Sequence, residues 1–317
     1  MECNAIFVIL ISFFLLATVV LYVTRRRRID TFLDGTRKQL TLIDKTYIAR
    51  DVCRFRFSLP HQRCTLGLPC CKHIVLFAPG PFSGCVKGKW NGREDHEKHH
   101  DVSRKYTPVT CDHDTMGYMD IVVKIYRRRS HTTGAGEVEF PDGGKVSQYL
   151  DSLSVGSNVV VNGPVGLQQY IGNGVFRSGH RLIKGKKIGL IAGGTGITPM
   201  LQIIATILDN REEDSTDVTV SLLYANHSEE DIILRERLEI YEKLYKGRFN
   251  LWYTLTSPPR TWPYSTGHVN TEMIRVHIPA PGEDTVVLCC GPPPMMELVC
   301  KPGLAELGHA SSRVIFL

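Results

Sequence analysis

Between Ile188 and Leu208 the chain reads IGLIAGGTGITPMLQIIATIL. An apolar run, a glycine-rich turn and a second apolar run at helical spacing confine this stretch to a buried strand, a tight turn and a helix. The alternation then continues. DVTVSLLYAN reads as a strand, SEEDIILRERLEIYEKLY as a helix and RFNLWYTL as a strand. NTEMIRVHI reads as a helix, DTVVLCCGP as the final core strand and PPMMELVCKPGLAEL as a closing helix. Strands alternating with helices predict a doubly wound parallel sheet over 188–317. The glycine turn therefore opens a domain well past the middle of a 317-residue chain, which is long enough for about two domains.

The preceding half has a different texture. From Lys38 to about His180, short alternating runs such as YMDIVVKIY (Tyr118–Tyr126) and NVVVNGP (Asn158–Pro164) are separated by glycine and proline, which predicts a small antiparallel β-barrel or sandwich. One helix is expected over Gly143–Leu153, where Val146, Leu150 and Leu153 recur at helical spacing. Residues 78–103 read as an extended loop that includes the run HEKHH, and 181–187 read as a basic linker.

Ala5–Val23 carries no charge, and as a helix of ~1.5 Å rise per residue it would be roughly 28 Å long, close to the ~30 Å of bilayer hydrocarbon. A cleavable signal peptide places positive charge before its apolar run; here Glu2 precedes it and Arg25–Arg28 follow. Residues 1–28 are thus expected to be a membrane anchor with a basic stop, leaving the rest of the chain in the cytosol. Ten cysteines follow no disulfide framework and form no CxxC, so reduced thiols and no metal site are expected. A net charge of +6 hints at an acidic partner or membrane surface and does not itself point to nucleic acid.

Three motifs carry candidate chemistry. In Gly193–Gly196 glycine lets backbone approach a pyrophosphate at a helix N-terminus; CCGPPPMM (Cys289–Met296) forms a stiff lip at the same sheet edge. RKYTP offers Arg104 for bidentate phosphate contact and Tyr106 to lie against a flat heterocycle, although an ordinary strand with an exposed arginine fits the same spacing. GGKVS supplies a second anion site at Ser147 and its neighbouring amides. Two phosphate elements in one small β unit suggest a dinucleotide.

Taken with LGLPCCKHI, DIVVKIY, GPVG, DIILRERLE and LWYTL, in this order, these motifs resemble the NADH–cytochrome b5 reductase family of the ferredoxin–NADP reductase superfamily, from about Leu40 to the C-terminus. The resemblance implies an FAD-binding antiparallel β-barrel over 38–180 and an NADH-binding α/β domain over 188–317 behind the N-terminal transmembrane helix. It implies that Arg104 meets the FAD pyrophosphate, that Lys105 belongs to the cofactor-binding set, and that Tyr106 and Thr107 contact the isoalloxazine. Val122, Lys124 and Tyr126 would line the flavin site, and Gly144, Lys145, Val146 and Ser147 would hold phosphates. Gly193, Gly194, Thr195 and Gly196 would cradle NADH, Thr198 would touch the flavin, and Cys290, Gly291 and Pro292 would border the nicotinamide. Thr107, Lys124 and Cys290 are the implied catalytic residues. The reaction the resemblance implies is hydride transfer from NADH to FAD, followed by single-electron delivery to cytochrome b5 or a similar acidic haem protein. The implied setting is a monomer on the endoplasmic reticulum or mitochondrial outer membrane. A related flavin reductase with another haem-protein or quinone acceptor, or a non-catalytic nucleotide-binding tethered protein, would share most of these motifs.

The chain departs from the family pattern in four places. Cys71 stands where glycine is usual, and extra residues lie between Phe77 and Arg104. The loop after YIGNGVF is shortened, so that Arg177, Arg181, Lys184, Lys186 and Lys187 must supply any basic docking surface. Thr256, near Arg260, replaces an aspartate that would accept ribose hydroxyls and repel a 2′-phosphate, so NADH is expected as the main reductant and NADPH as a weaker one.

Overall fold

A computed structural model describes residues 30–80, 89–96, 101–128, 141–209 and 217–317. The apolar run Ala5–Val23 and Arg25–Arg28 lie outside these residues, as do positions 97–100 of the histidine-rich run. Among the described residues no helix is long and apolar enough to cross a membrane.

The first unit is antiparallel apart from one short parallel pair, β1 with β4. It comprises β1 (Asp30–Thr31), β2 (Lys38–Ala49), β3 (Val52–Ser58), β4 (Cys64–Thr65), β5 (His73–Ala78), a hairpin of β6 (Lys89–Trp90) and β7 (Arg93–Glu94), β8 (Val102–Tyr106), β9 (Tyr118–Lys124), α1 (Lys145–Ser152) and β10 (Asn158–Val165). Its main sheet runs β8-β5-β10-β2-β3-β9. Period-two alternation sends Leu40 and Leu42, Phe55 and Phe57, Ile74 and Leu76, Met119 and Ile121, and Val159 and Val161 into one interior. The outer strands β8 and β9 do not pair directly. Instead the chain just past β8 curls back, and the Val109 amide donates to the Asp120 carbonyl at 2.9 Å. The expected barrel is thus barrel-like and incompletely closed. Val146 and Leu150 of α1 plug the same interior.

A small sheet of β11 (Gln168–Tyr170), β12 (Val175–Ser178) and β13 (Arg181–Lys184) follows. The stretch expected to be a basic linker is therefore mostly strand. Phe176 and Ile183 face each other in register and are both buried, an apolar pair that outweighs the surrounding charge.

The second unit contains β14 (Lys187–Gly193), α2 (Ile197–Asp209), β15 (Thr219–Asn226), α3 (Arg235–Leu244), β16 (Phe249–Leu255), β17 (Ser265–Thr266), α4 (Thr271–His277) and β18 (Thr285–Cys290). It ends with α5 (Pro293–Met295), one π turn (Met296–Cys300), α6 (Lys301–Glu306) and β19 (Val314–Phe316). All its strands are parallel, in the order β17-β16-β15-β14-β18-β19. Alternate residues feed opposite layers: Ile188, Leu190, Leu222 and Leu288 pack with α2 and α3, while Ile191, Leu223 and Val287 pack with α4 to α6. The helix expected across 228–245 is shorter. Ser228 and the Asp231 carboxylate close a separate turn, Ile232 on extended backbone and Ile233 in a turn are both buried, and Leu234 adopts φ 61° before α3 begins.

The units share apolar packing, with Val52, Cys71, Val109 and Val122 of the first joining the layer under α2. Cys71 has φ 73°, the left-handed region that favours glycine, which accounts for the usual glycine there. Its amide donates to the buried Gln202 side-chain oxygen on α2 at 2.9 Å, and Arg237 of α3 donates to the Val109 carbonyl at 3.0 Å. Gln202→Leu strands the Cys71 amide, so urea unfolding should show a loss of about 1–3 kcal/mol; unchanged stability would deny that bond a role at the junction.

Candidate functional site

In the parallel sheet the chain turns to one side after β14 and approaches from the other at β18. That reversal opens a crevice at the carboxyl ends of the strands. Two turns meet there. A Cβ on Gly196 would lie 2.1 Å from the Cys290 carbonyl oxygen, and one on Gly193 would lie 2.7 Å from Met295 Sδ, so only glycine permits the loops to pack this closely. The Tyr224 hydroxyl donates to the Gly194 carbonyl at 3.1 Å and steadies the turn from beneath.

The crevice faces the antiparallel unit across a cavity of about 1370 Å³. Every expected site residue except Thr256 borders it. Arg104, Lys105, Tyr106 and Thr107 come from β8 and its exit, and Val122, Lys124 and Tyr126 from β9 and beyond. Gly144, Lys145, Val146 and Ser147 come from the start of α1; Gly193, Gly194, Thr195, Gly196 and Thr198 from the β14–α2 turn; and Cys290, Gly291 and Pro292 from the exit of β18. Thr256 borders an adjoining cavity of about 530 Å³ that shares Lys124, Gly193, Gly194 and Pro292 with the first.

The N-terminus of α1 has no side-chain cap, so its first-turn amides are not satisfied within the helix. Gly143 precedes it at φ 73°, and a Cβ there would meet the Tyr126 carbonyl oxygen at 2.2 Å. Ser147 is not simply held out to a ligand: its hydroxyl donates to the Gly144 carbonyl at 3.1 Å and accepts from the Tyr126 amide at 3.2 Å. Lys145, expected to face phosphate, pairs with Asp95 with both side chains buried. Arg104 and Lys105 are exposed at the cavity edge.

Across the seam Lys124 Nζ lies 3.4 Å from Asp231 Oδ1. Burial pushes the Asp231 carboxyl up, but hydrogen bonds from Ser228 and the Lys124 charge hold it below the usual carboxylate range. Burial raises the Tyr106 phenol well above its ordinary value, so the ring stays neutral.

Sequence reasoning assigned no role to several residues that border the same cavity. His73 Nε2 and Gln168 Oε1 are buried without a hydrogen-bond partner among the described residues, as expected of atoms awaiting a polar ligand. Burial, aided by Lys105 and Lys72, lowers the His73 pKa and favours its neutral form. Phe316 and Leu317 also line the cavity, because β19 adds to the sheet edge and the Leu317 amide donates to the Cys289 carbonyl at 3.0 Å. The unbroken apolar run VIFL at the terminus was the available signal. Glycine cradles, an uncapped helix start, flanking cations and orphaned polar atoms together fit a large anionic dinucleotide with a flat ring, and the adjoining cavity leaves room for a second.

The Cys290 thiol is half-buried, and burial pushes its pKa up to about 11. It is therefore a neutral thiol at physiological pH. Alkylation by iodoacetamide, read by peptide mass spectrometry, should stay slow at neutral pH and accelerate only as pH nears about 11; rapid labelling at neutral pH would contradict this.

A family model described as the oxidoreductase FAD-binding domain matches residues 39–89 and 92–170, and the oxidoreductase NAD-binding domain matches 190–301. NADH-cytochrome b5 reductase 1 of Homo sapiens is 47% identical over 298 residues, covering 91% of this chain and 89% of that protein. NADH-cytochrome b5 reductase 3 of Rattus norvegicus is 44% identical over 281 residues, covering 86% and 84%. Among solved structures, the cytochrome b5 reductase domain of Ulva prolifera nitrate reductase superposes with a TM-score of 0.78 at 35% identity, over 90% of this chain and all of that one. With both cofactor domains matched and the sequence shared along most of its length, the chain belongs to the NADH-cytochrome b5 reductase family of FAD- and NADH-dependent oxidoreductases.

Proposed function

We propose that this chain is a membrane-anchored reductase that takes a hydride from NADH onto FAD and delivers electrons singly to cytochrome b5 or a similar acidic haem protein. The observation that carries the proposal is the seam cavity of about 1370 Å³ bordered by residues of both units. FAD, when bound, supplies the conversion between two-electron and one-electron chemistry.

The chain's own residues bind, orient and exclude water. Arg104, Lys105 and the start of α1 take the FAD phosphates, and Tyr106 supplies a neutral flat face to the ring. Thr107 offers a hydroxyl to the reacting edge of the flavin. Lys124 places positive charge beside the nicotinamide ribose, with Asp231 fixing its position across the seam. Gly193–Gly196 cradle NADH, Thr198 borders the flavin, and Cys290 with Gly291 and Pro292 form a neutral wall against the nicotinamide. No side-chain nucleophile is needed.

Two features bear on delivery. Arg177, Arg181 and Lys184 are exposed on β12 and β13. Arg177 sits opposite Gln169 in register, one residue from Gln168 at the cavity. Such a basic face suits an acidic partner, and Ala5–Val23 would hold the enzyme at the surface where a membrane-bound partner lies. Lys186 is committed elsewhere, in an ion pair with Asp217.

Stopped-flow reduction of cytochrome b5 by NADH tests the reading. The second-order rate should fall steeply with added salt as the Debye length shrinks from ~10 Å at 0.1 M to ~3 Å at 1 M. Rapid flavin reduction without transfer to cytochrome b5 at any salt concentration would move the acceptor to another haem protein or a quinone. At the adenosine end the Thr256 hydroxyl pairs with His227 Nδ1 at 2.8 Å, and no carboxylate stands at position 256 to repel a 2′-phosphate. NADPH is thus expected to work as a weaker substrate. Thr256→Asp should raise the NADH-over-NADPH ratio of kcat/KM roughly tenfold, and an unchanged ratio would show position 256 immaterial.

A further inference from the structure

The extra chain between Phe77 and Arg104 contains a built contact. The β6–β7 hairpin turns at Asn91 and Gly92, both in left-handed backbone, and lies over the start of α1. The Trp90 indole N–H donates to the Gly143 carbonyl at 3.0 Å and the Asn91 side-chain amide donates to the same oxygen at 2.9 Å. Asn91 and Asp142 exchange a second pair of bonds, each backbone amide donating to the other's side-chain oxygen, at 2.6 and 2.7 Å. Just beyond the hairpin, Asp95 hydrogen-bonds Lys145, with side chains 3% and 4% exposed, and the Trp90 ring centroid lies 5.3 Å from the Lys145 ammonium. Trp90, Asp95 and Lys145 border the same cavity as Arg104 and Tyr106.

A buried ion pair contributes little net stability, because desolvating two charges offsets most of their attraction. Its placement here has a sharper consequence. Asp95 already neutralises the one buried ammonium at the start of α1 among the described residues, and a pyrophosphate drawn to that ammonium meets a carboxylate in a poorly solvated pocket.

We propose that Asp95 sets the FAD affinity of this protein: carried in by the hairpin, it competes as a tethered anion with the FAD pyrophosphate for Lys145. The inference rests on the placement of the FAD phosphates at Arg104 and α1 given above. Full occupancy by FAD requires Asp95 to release Lys145, and the hairpin's bonds to Asp142 and Gly143 oppose that release.

Calorimetric titration of the full chain, stripped of flavin, with FAD and with riboflavin tests this. Asp95→Asn should bind FAD about tenfold more tightly than the parent, since the buried ammonium then has no competing Asp95 carboxylate when phosphate approaches. Riboflavin, with the same ring and no phosphate, should bind both proteins equally. Unchanged or weaker FAD binding by Asp95→Asn overturns the proposal, because Asp95 would then brace Lys145 rather than compete for it. Lys145→Met and Arg104→Gln separate this failure from a failure of the underlying placement. If both weaken FAD while Asp95→Asn does nothing, the competition alone is wrong; if neither matters, the phosphates lie elsewhere and both readings fall. Should Asp95→Asn not fold, Trp90→Ala, which unseats the hairpin and keeps the carboxylate, is expected to tighten FAD in the same direction, and a null result there is equally decisive.

Discussion

The relative placement of the two units is the constraint on which the rest depends. A parallel sheet presents its loops at the carboxyl ends of its strands, and an antiparallel β unit presents ligand-facing side chains along one rim; neither alone encloses two nucleotides. Here the rim and the loops are held together by apolar packing under α2, by the Cys71 amide on Gln202, by Arg237 on the Val109 carbonyl and by Lys124 on Asp231. Interfaces between domains of one chain are often loose enough to permit relative motion. A buried hydrogen bond to an α2 side chain, a few residues beyond the glycine turn, places the turn itself against the first unit.

What the site provides beyond geometry is mostly neutrality. Burial keeps the Cys290 thiol and the Tyr106 phenol protonated and favours a neutral His73. The cations that border the cavity are Arg104, Lys105, Lys124 and Lys145, which the proposed reading sets at the phosphate and ribose ends. Such a division suits a reaction in which cofactors carry the electrons and the protein supplies alignment and electrostatics. The Asp95–Lys145 pair sets a buried carboxylate among these cations, and Asp231 sets another carboxylate beside Lys124 across the seam.

The parts of the fold legible in the sequence were those whose signal is local and periodic. Alternation in YMDIVVKIY and unbroken apolarity in IGLIAGG gave the two sheet types, and the glycine turn gave the switch point. Elements that exist only through a distant partner were not legible. The strand Arg181–Lys184 looks like a charged linker until Phe176 is seen opposite Ile183, and β19 is a strand because β18 offers an open edge. The break before α3 depends on burying Ile232 and Ile233 together, and nothing in the periodicity of that stretch separates it from continuous helix. At the site, Arg104, Ser147 and the glycines belonged to recognisable motifs. His73 and Gln168 became visible only as buried atoms lacking partners, and Asp95 only once the hairpin folded onto Lys145. The extra segment has no counterpart in the resemblance, and no periodicity or motif in it announces the contact with α1.

The most direct test of the account is an anaerobic titration of the purified full chain with NADH, followed by flavin absorbance. If both nucleotides meet at the seam, the protein carries bound FAD and its oxidised absorbance disappears on stoichiometric NADH. A protein that holds FAD and binds NADH yet keeps its oxidised spectrum would contradict the shared cavity on which the account stands.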